Sequence, residues 1–441
     1  METTLHTRRE FLRTSALGAA AAWTLPVFLE KTFFALDAMA AEAATQAVTG
    51  KDNTILVVLQ MAGGNDGLNM VVPYADDIYY RSRPKLALPA DKILKLDEYA
   101  GLNGKLTGLK ALFDEGHLAV VQGVGYPNPN RSHFRSTEIW QTASDADRTE
   151  SQGWLGKYFD SCCAGADPTV GVAIGEQTPQ AFASKTPTGV TFSRPEQFRW
   201  QPSEKGGGAL SAEEIFFRQL NGMEDETAAP PSDGGSISTI AGGNKPDQSA
   251  LDFLERTALD AQLSSDKILA IARKYKSTIP YPPGPLSASL SMIARMIAGG
   301  LPTRVYYASQ GGFDTHAGQL NAHDRLMGGF NDALTAFVAD LKQQGNFDRV
   351  VLMTFSEFGR RVAENANGGT DHGAAAPLFV LGGKIKAGLF GKHPSLSELD
   401  HGDLKFNTDF RNVYGTILEK WLRAPSELML GRKFTTLPLV G

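Results

Sequence analysis

The sequence predicts an α/β fold built on a mostly parallel central sheet with helices on both faces. Three observations lead there. Short β-branched runs recur along the chain, apolar at every position rather than at alternate ones, as strands buried on both faces require. Helical patterns lie between them, the order of a crossover-connected sheet. Each run also borders a loop carrying Gly, Asn, Asp, Glu or His, where ligands gather in open parallel sheets.

The chain opens with Thr7-Arg8-Arg9-Glu10-Phe11-Leu12-Arg13, then an Ala-rich run from Ser15 to Leu29 and the small-x-small triplet Ala38-Met39-Ala40. Paired arginines before Phe-Leu and a weakly apolar stretch read as a twin-arginine signal over residues 1–40. The expected partner during export is the twin-arginine translocase, which passes chains already folded, and the expected destination is the periplasm or the exterior. No later stretch reaches the roughly 18 uncharged apolar residues of a membrane span, so none is expected after cleavage.

One domain is expected over residues 53–438. Its strands are read at 54–61, 118–124, 303–309, 349–355 and 377–381, and its helices at 251–276, 287–298 and 323–343. Residues 223–249 are polar and rich in Pro, Gly and Ser, and read as a mobile surface excursion.

Composition narrows the function. In a chain of 441 residues, 42% hydrophobic and 21% charged residues allow a large core and exclude wholesale disorder. A net charge of −5 is too near neutral for a protein that coats nucleic acid. The two cysteines, Cys162 and Cys163, are adjacent, which excludes a disulfide framework and a thiolate zinc cluster.

Hard donors cluster at the strand ends. Asn65 and Asp66 follow the first run, and His133 follows the second. Asp314 and His316 follow the third, Glu357 the fourth, and Asp371 and His372 precede the fifth. Imidazole with carboxylate and no thiolate suits zinc, with manganese or iron as alternatives. Asp66, Asp314, His316, Glu357, Asp371 and His372 are the candidate ligands, enough for one or two divalent ions. Two ions about 4 Å apart form a clamp for phosphate-like groups.

With Gly63-Gly64-Asn65-Asp66-Gly67-Leu68-Asn69, Ser132-His133-Phe134, Gly312-Phe313-Asp314-Thr315-His316, Ser356-Glu357-Phe358-Gly359-Arg360, Thr370-Asp371-His372-Gly373 and Thr408-Asp409-Phe410-Arg411-Asn412-Val413-Tyr414-Gly415 in view, the chain resembles the bacterial domain-of-unknown-function family 1501. That family is similar to the alkaline phosphatase and sulfatase-like metallohydrolases. The resemblance implies hydrolysis of a small anionic ester, a phosphate or a sulfate. It implies that Asp66 binds metal, that Ser132 is the nucleophile, that Arg131 or Arg135 clamps the anion and that His133 donates a proton to the leaving group. Ser136 and Thr137 compete with Ser132, which is equally an N-cap. Asp314 and His316 stand two apart where the superfamily has four, and Phe358 replaces a histidine after Glu357. Asp371-His372 is either the missing Asp-His pair or a ligand with its supporting carboxylate.

Two other readings compete. Gly64-Asn65-Asp66 matches an element of SGNH-type esterases, in which Asn donates to an oxyanion hole, but their Gly-Asp-Ser and Asp-x-x-His elements are missing. The altered ligand spacing also suits a catalytically decayed exported binding or assembly protein. In the closing motif Thr408 reads as an N-cap, and Asp409 or Arg411, like Asn65, is expected to support the site without binding the ion.

Overall fold

The computed structural model describes residues 54–186, 188–194, 267–271 and 273–441. The signal at 1–40, the excursion at 223–249 and most of the helix read at 251–276 lie outside the described residues.

Nine strands form the main sheet: β1 (Ile55–Met61), β2 (Leu118–Gly125), β3 (Gly171–Ile174), β4 (Val190–Phe192), β5 (Val305–Gln310), β6 (Val350–Phe355), β7 (Ala376–Gly382), β8 (Gly388–Phe390) and β9 (Thr408–Asp409). Their spatial order is β8-β2-β7-β6-β1-β5-β3-β4, with β9 also paired to β2. β1 is central and parallel to both neighbours, with Val57 opposite Tyr306 on one side and Leu352 on the other. The predicted mostly parallel sheet is thus present. All five predicted strands are found within one or two residues of their expected ends; β3, β4, β8 and β9 are short and carry no long β-branched run.

One strand runs the other way. β7 is antiparallel to both β6 and β2, which the run at 377–381 does not reveal. The reversal has a functional consequence. The loop before β7 lies at the same edge of the sheet as the loops after β1, β2, β5 and β6.

Eight α-helices accompany the sheet among the described residues: α1 (Asp77–Ser82), α2 (Thr107–Asp114), α3 (His133–Thr142), α4 (Trp154–Cys162), α5 (Pro285–Ala298), α6 (Gln319–Gln343), α7 (Phe410–Thr416) and α8 (Ser426–Leu430). The alternation along β1 shows both faces buried. Val57 and Leu59 pack with Leu109 of α2, Leu290 of α5 and Phe337 of α6. Leu56 and Val58 pack with Trp140 of α3, Trp154 of α4 and Tyr414 of α7. α6 starts at Gln319, four residues before the predicted helix, behind Gly318 in the left-handed region. No helix among the described residues is long and apolar enough to cross a membrane.

Candidate metal centre

Three histidines converge on Asp314. His316 Nε2 lies 3.1 Å and His372 Nε2 3.2 Å from its Oδ1, and His133 Nε2 lies 3.5 Å from its Oδ2. His316 Nε2 and His372 Nε2 are 2.9 Å apart. The other nitrogen of each ring faces an oxygen. His133 Nδ1 is 2.8 Å from Glu357 Oε1, His372 Nδ1 is 2.8 Å from the Arg131 carbonyl, and His316 Nδ1 is 3.4 Å from Asp371 Oδ1.

These anchors set the tautomers. A carbonyl only accepts, so His372 Nδ1 donates to Arg131 and leaves Nε2 as a lone pair. The carboxylates of Glu357 and Asp371 favour the same tautomer in His133 and His316. Three imidazole lone pairs and a carboxylate then face one another, which is repulsive unless a cation or proton sits among them. Ligand atoms about 2.0–2.2 Å from a shared ion stand roughly 3–4 Å apart. His133, Asp314 and His372 offer atoms all within 4.8 Å of one another, and the His316 contacts fall inside that range. An oxygen that holds the far nitrogen of each ligating histidine is the usual second layer of a zinc site. The residues present therefore fit a divalent ion of the zinc, manganese or iron type.

Asp314 is 48% exposed on its side chain, so water and ions reach it. Burial opposes its ionisation, but hydrogen bonds from Arg360, and from His372 when the proton among the rings sits on its Nε2, with the charges of Arg360 and His316, bring its carboxyl down to about 2.

Arg360 holds the loops that carry these groups. It is buried, and its guanidinium donates to the carbonyls of Gly64 at 2.6 Å, Thr370 at 2.8 Å and Phe313 at 3.1 Å, to that of Gly63, and to Asp314 Oδ1 at 2.7 Å. One side chain thus ties the loops after β1, β5 and β6 to the loop before β7. Gly63, with φ at 121°, runs so close to Asp314 that a side chain would collide with its backbone. Phe358 supplies an apolar wall, its ring centroid 4.4 Å from that of His372 and 4.9 Å from that of His133.

Several expected roles change. His133, expected as a proton donor, lies with Asp314 and His372 in the group with metal-like spacing. Glu357, expected as a ligand, is buried behind His133, where it also accepts from the Gly63 backbone at 2.8 Å. Asp371 stands behind His316 rather than behind His372. Its carboxyl is lowered by the Asn365 hydrogen bond first, with burial opposing and His316 adding.

Asp66 does not reach the cluster. It is fully buried, 2.6 Å from Arg83 Nη1, and accepts from Gln319. Burial opposes its charge, but Arg83 outweighs burial and its carboxyl is lowered. Asn65 is equally enclosed: its Oδ1 faces His323 Nε2 at 3.0 Å and its Nδ2 points to Met70 Sδ, so it is not a free oxyanion donor.

Arg131 is not a free clamp, because its guanidinium binds the buried Asp403 through Nε at 2.7 Å. Arg135 is spent on Glu138 and on the carbonyls of Asp145, Ala146 and Arg148. Ser136 is buried against Tyr126 and the Glu357 carbonyl. Ser132 alone of the serine candidates is exposed, at the N-cap of α3 with no capping hydrogen bond from its side chain.

The closing motif turns away from the cluster. Asp409, not Thr408, caps α7, and its two oxygens grip the buried Arg411, which also reaches Asp145. Neither Asp409 nor Arg411 contacts the three histidines or Asp314.

Arg83 and Gln319 are residues that the sequence does not single out, and the parts played by Arg360 and His323 are not legible in it. Their partners are backbone carbonyls or residues far along the chain, and only the folded contacts reveal them.

Among solved structures, a sulfatase from Pseudoalteromonas sp. is 12% identical, with a TM-score of 0.36 over 91% of this chain and 74% of that one. A protein in the alkaline phosphatase superfamily from Vibrio parahaemolyticus is 10% identical, with a TM-score of 0.35 over 86% and 69%. The lipoteichoic acid synthase of Listeria monocytogenes is 9% identical, with a TM-score of 0.35 over 89% and 78%. No curated protein matches the chain. Residues 247–432, which hold Asp314, His316, Glu357, Arg360, Asp371 and His372, match the family model described as Protein of unknown function (DUF1501).

Proposed function

We propose that this chain is an exported, metal-dependent hydrolase of small anionic esters, phosphate or sulfate. The observation that carries the reading is the convergence of three histidine Nε2 atoms on Asp314, each ring backed by an oxygen at Nδ1. A divalent ion bound there would polarise an ester oxygen and lower the pKa of a coordinated hydroxyl or water. His133, His316, His372 and Asp314 would hold it. Glu357, Asp371 and the Arg131 carbonyl keep the imidazoles in the binding tautomer.

Ser132 directly precedes His133 and stands at the exposed N-terminus of α3. Its hydroxyl is the nucleophile in this reading: a bond from Ser132 Oγ to phosphorus or sulfur forms as the bond to the leaving alcohol breaks, the serine proton passes through solvent to that alcohol, and water then hydrolyses the seryl ester to release phosphate or sulfate and restore the hydroxyl. The unbonded N–H groups of the first turn of α3 point toward that end and favour an anion. Export through the twin-arginine route accords with loading before translocation.

The test is metal content and turnover together. Chain purified from the periplasm should carry zinc, manganese or iron, and should release nitrophenol from nitrophenyl phosphate or nitrophenyl sulfate. Ser132→Ala should abolish release while keeping the metal. Normally folded protein that takes up no metal would instead favour an exported binding protein.

A further inference from the structure

We propose that the centre is mononuclear and that the buried guanidinium of Arg360 takes the place of a second ion; this rests on the metal-dependent reading above. A two-ion clamp needs a second cluster of ligands about 4 Å away. The carboxylates that could form it are committed elsewhere. Asp66 gives Oδ2 to Arg83 and Gln319 and keeps a buried, unbonded Oδ1, outside the metal-like group; Glu357 is held by His133 and the Gly63 backbone, and Asp371 by Asn365 with His316 beside it. Among the described residues, the one group of acids and histidines with metal-like spacing is that of His133, Asp314 and His372.

A permanent cation already sits on the shared carboxylate. Arg360 Nη2 lies 2.7 Å from Asp314 Oδ1, the same oxygen that faces His316 and His372. The guanidinium is anchored to four backbone carbonyls, from Gly63, Gly64, Phe313 and Thr370, so it neither leaves nor loses its proton. Its charge offsets that of Asp314. Asp314 then takes less from the charge that a divalent ion presents to an incoming anion. Arg360 is a positioning residue in this arrangement, acting through Asp314 and through the field rather than by touching substrate.

Zinc titration of the metal-stripped full chain by calorimetry tests the count. One equivalent per chain is expected. Two equivalents would overturn the proposal while leaving the metal-dependent reading intact, and no binding by folded protein would overturn that reading itself. Inorganic phosphate binding to the zinc-loaded protein tests the role of the guanidinium. Arg360→Lys keeps the charge but not the fork that reaches four carbonyls, so it should bind phosphate more tightly than Arg360→Gln, which should bind about tenfold more weakly than the native chain. Equal phosphate affinity in all three, or equal losses in the two variants, would overturn the substitution of Arg360 for an ion. Should Arg360→Gln not fold, the native zinc count still decides, because two equivalents would overturn the proposal.

Discussion

His316 Nε2 and His372 Nε2 stand 2.9 Å apart, closer than two neutral imidazole lone pairs tolerate without a cation or proton between them. They come from loops 56 residues apart in the chain, and each ring is turned by an oxygen at its far side. The geometry of the centre is therefore set as much by Glu357, Asp371 and the Arg131 carbonyl as by the ligand atoms.

Glu357→Gln tests that division of labour. The amide oxygen can still accept from His133 and Gly63, so only the charge is lost and the apo fold should melt normally. Zinc affinity should nevertheless fall about 10–100-fold, the usual cost of removing a carboxylate behind a ligating histidine. Competition with a coloured chelator measures it. Unchanged affinity would mean that Glu357 serves only the Gly63 backbone.

Asp66→Asn separates a ligand from a structural ion pair. Asp66 and Arg83 are both fully buried, and removing one partner of such a pair costs about 3–5 kcal/mol because the other charge is stranded. Arg83 keeps Asn69 Oδ1 and the carbonyls of Val362 and Arg361, which places the expected loss at the lower end. Denaturant unfolding of the apo chain should show it, while zinc affinity of the folded variant stays unchanged. A variant of normal stability with lost zinc binding would restore Asp66 to the ligand set.

These two residues show what the sequence makes legible. The strands are readable because each is apolar on both faces, and a strand end followed by Asp or His marks the functional edge. The role of each donor is not readable. An aspartate after a strand looks the same whether it meets an ion or an arginine 17 residues on, as Asp66 meets Arg83. Nor does the sequence show that Glu357 stands behind His133, 224 residues away in the chain. Arg360 stands in a visible motif, but its partners are hidden for a different reason: four of its five acceptors are backbone carbonyls, which any sequence supplies.

The closing motif makes the third prediction. Asp409 caps α7 through Arg411 N at 2.9 Å and holds the Arg411 guanidinium at 2.8 and 2.7 Å. Arg411 is buried beside the rings of Phe410 and Phe434, and Asp145 is its other partner. Asp409→Asn should cost about 1.5–3 kcal/mol, the range for hydrogen bonds to a charged group, well above a surface dipole effect. Zinc affinity should not move. Thermal melts and the same chelator competition settle both halves, and a variant that loses metal but not stability would contradict the placement.

The last prediction concerns pH. His323 is buried on α6, with Nε2 3.0 Å from Asn65 Oδ1. Burial is the largest influence and lowers its pKa from the ordinary 6.5; the nearby Asp66 charge opposes without prevailing. The unfolded chain therefore takes up a proton here before the folded chain does. Stability contributed by neutral His323 is complete above about pH 6.5 and drains as pH falls toward the folded-state value. His393 is lowered in the same sense, again by burial first, so it adds to the slope, whereas Asp66 acts only in the more acid carboxylate range. His323→Gln can keep a donor toward Asn65 and carries no titrating proton. Urea midpoints compared between about pH 7.5 and about pH 5.5 should fall less steeply in the variant than in the native chain, leaving the share that belongs to His393. Parallel lines for the two proteins would mean that His323 titrates alike in the folded and unfolded chains, and that its burial does not govern the acid limb.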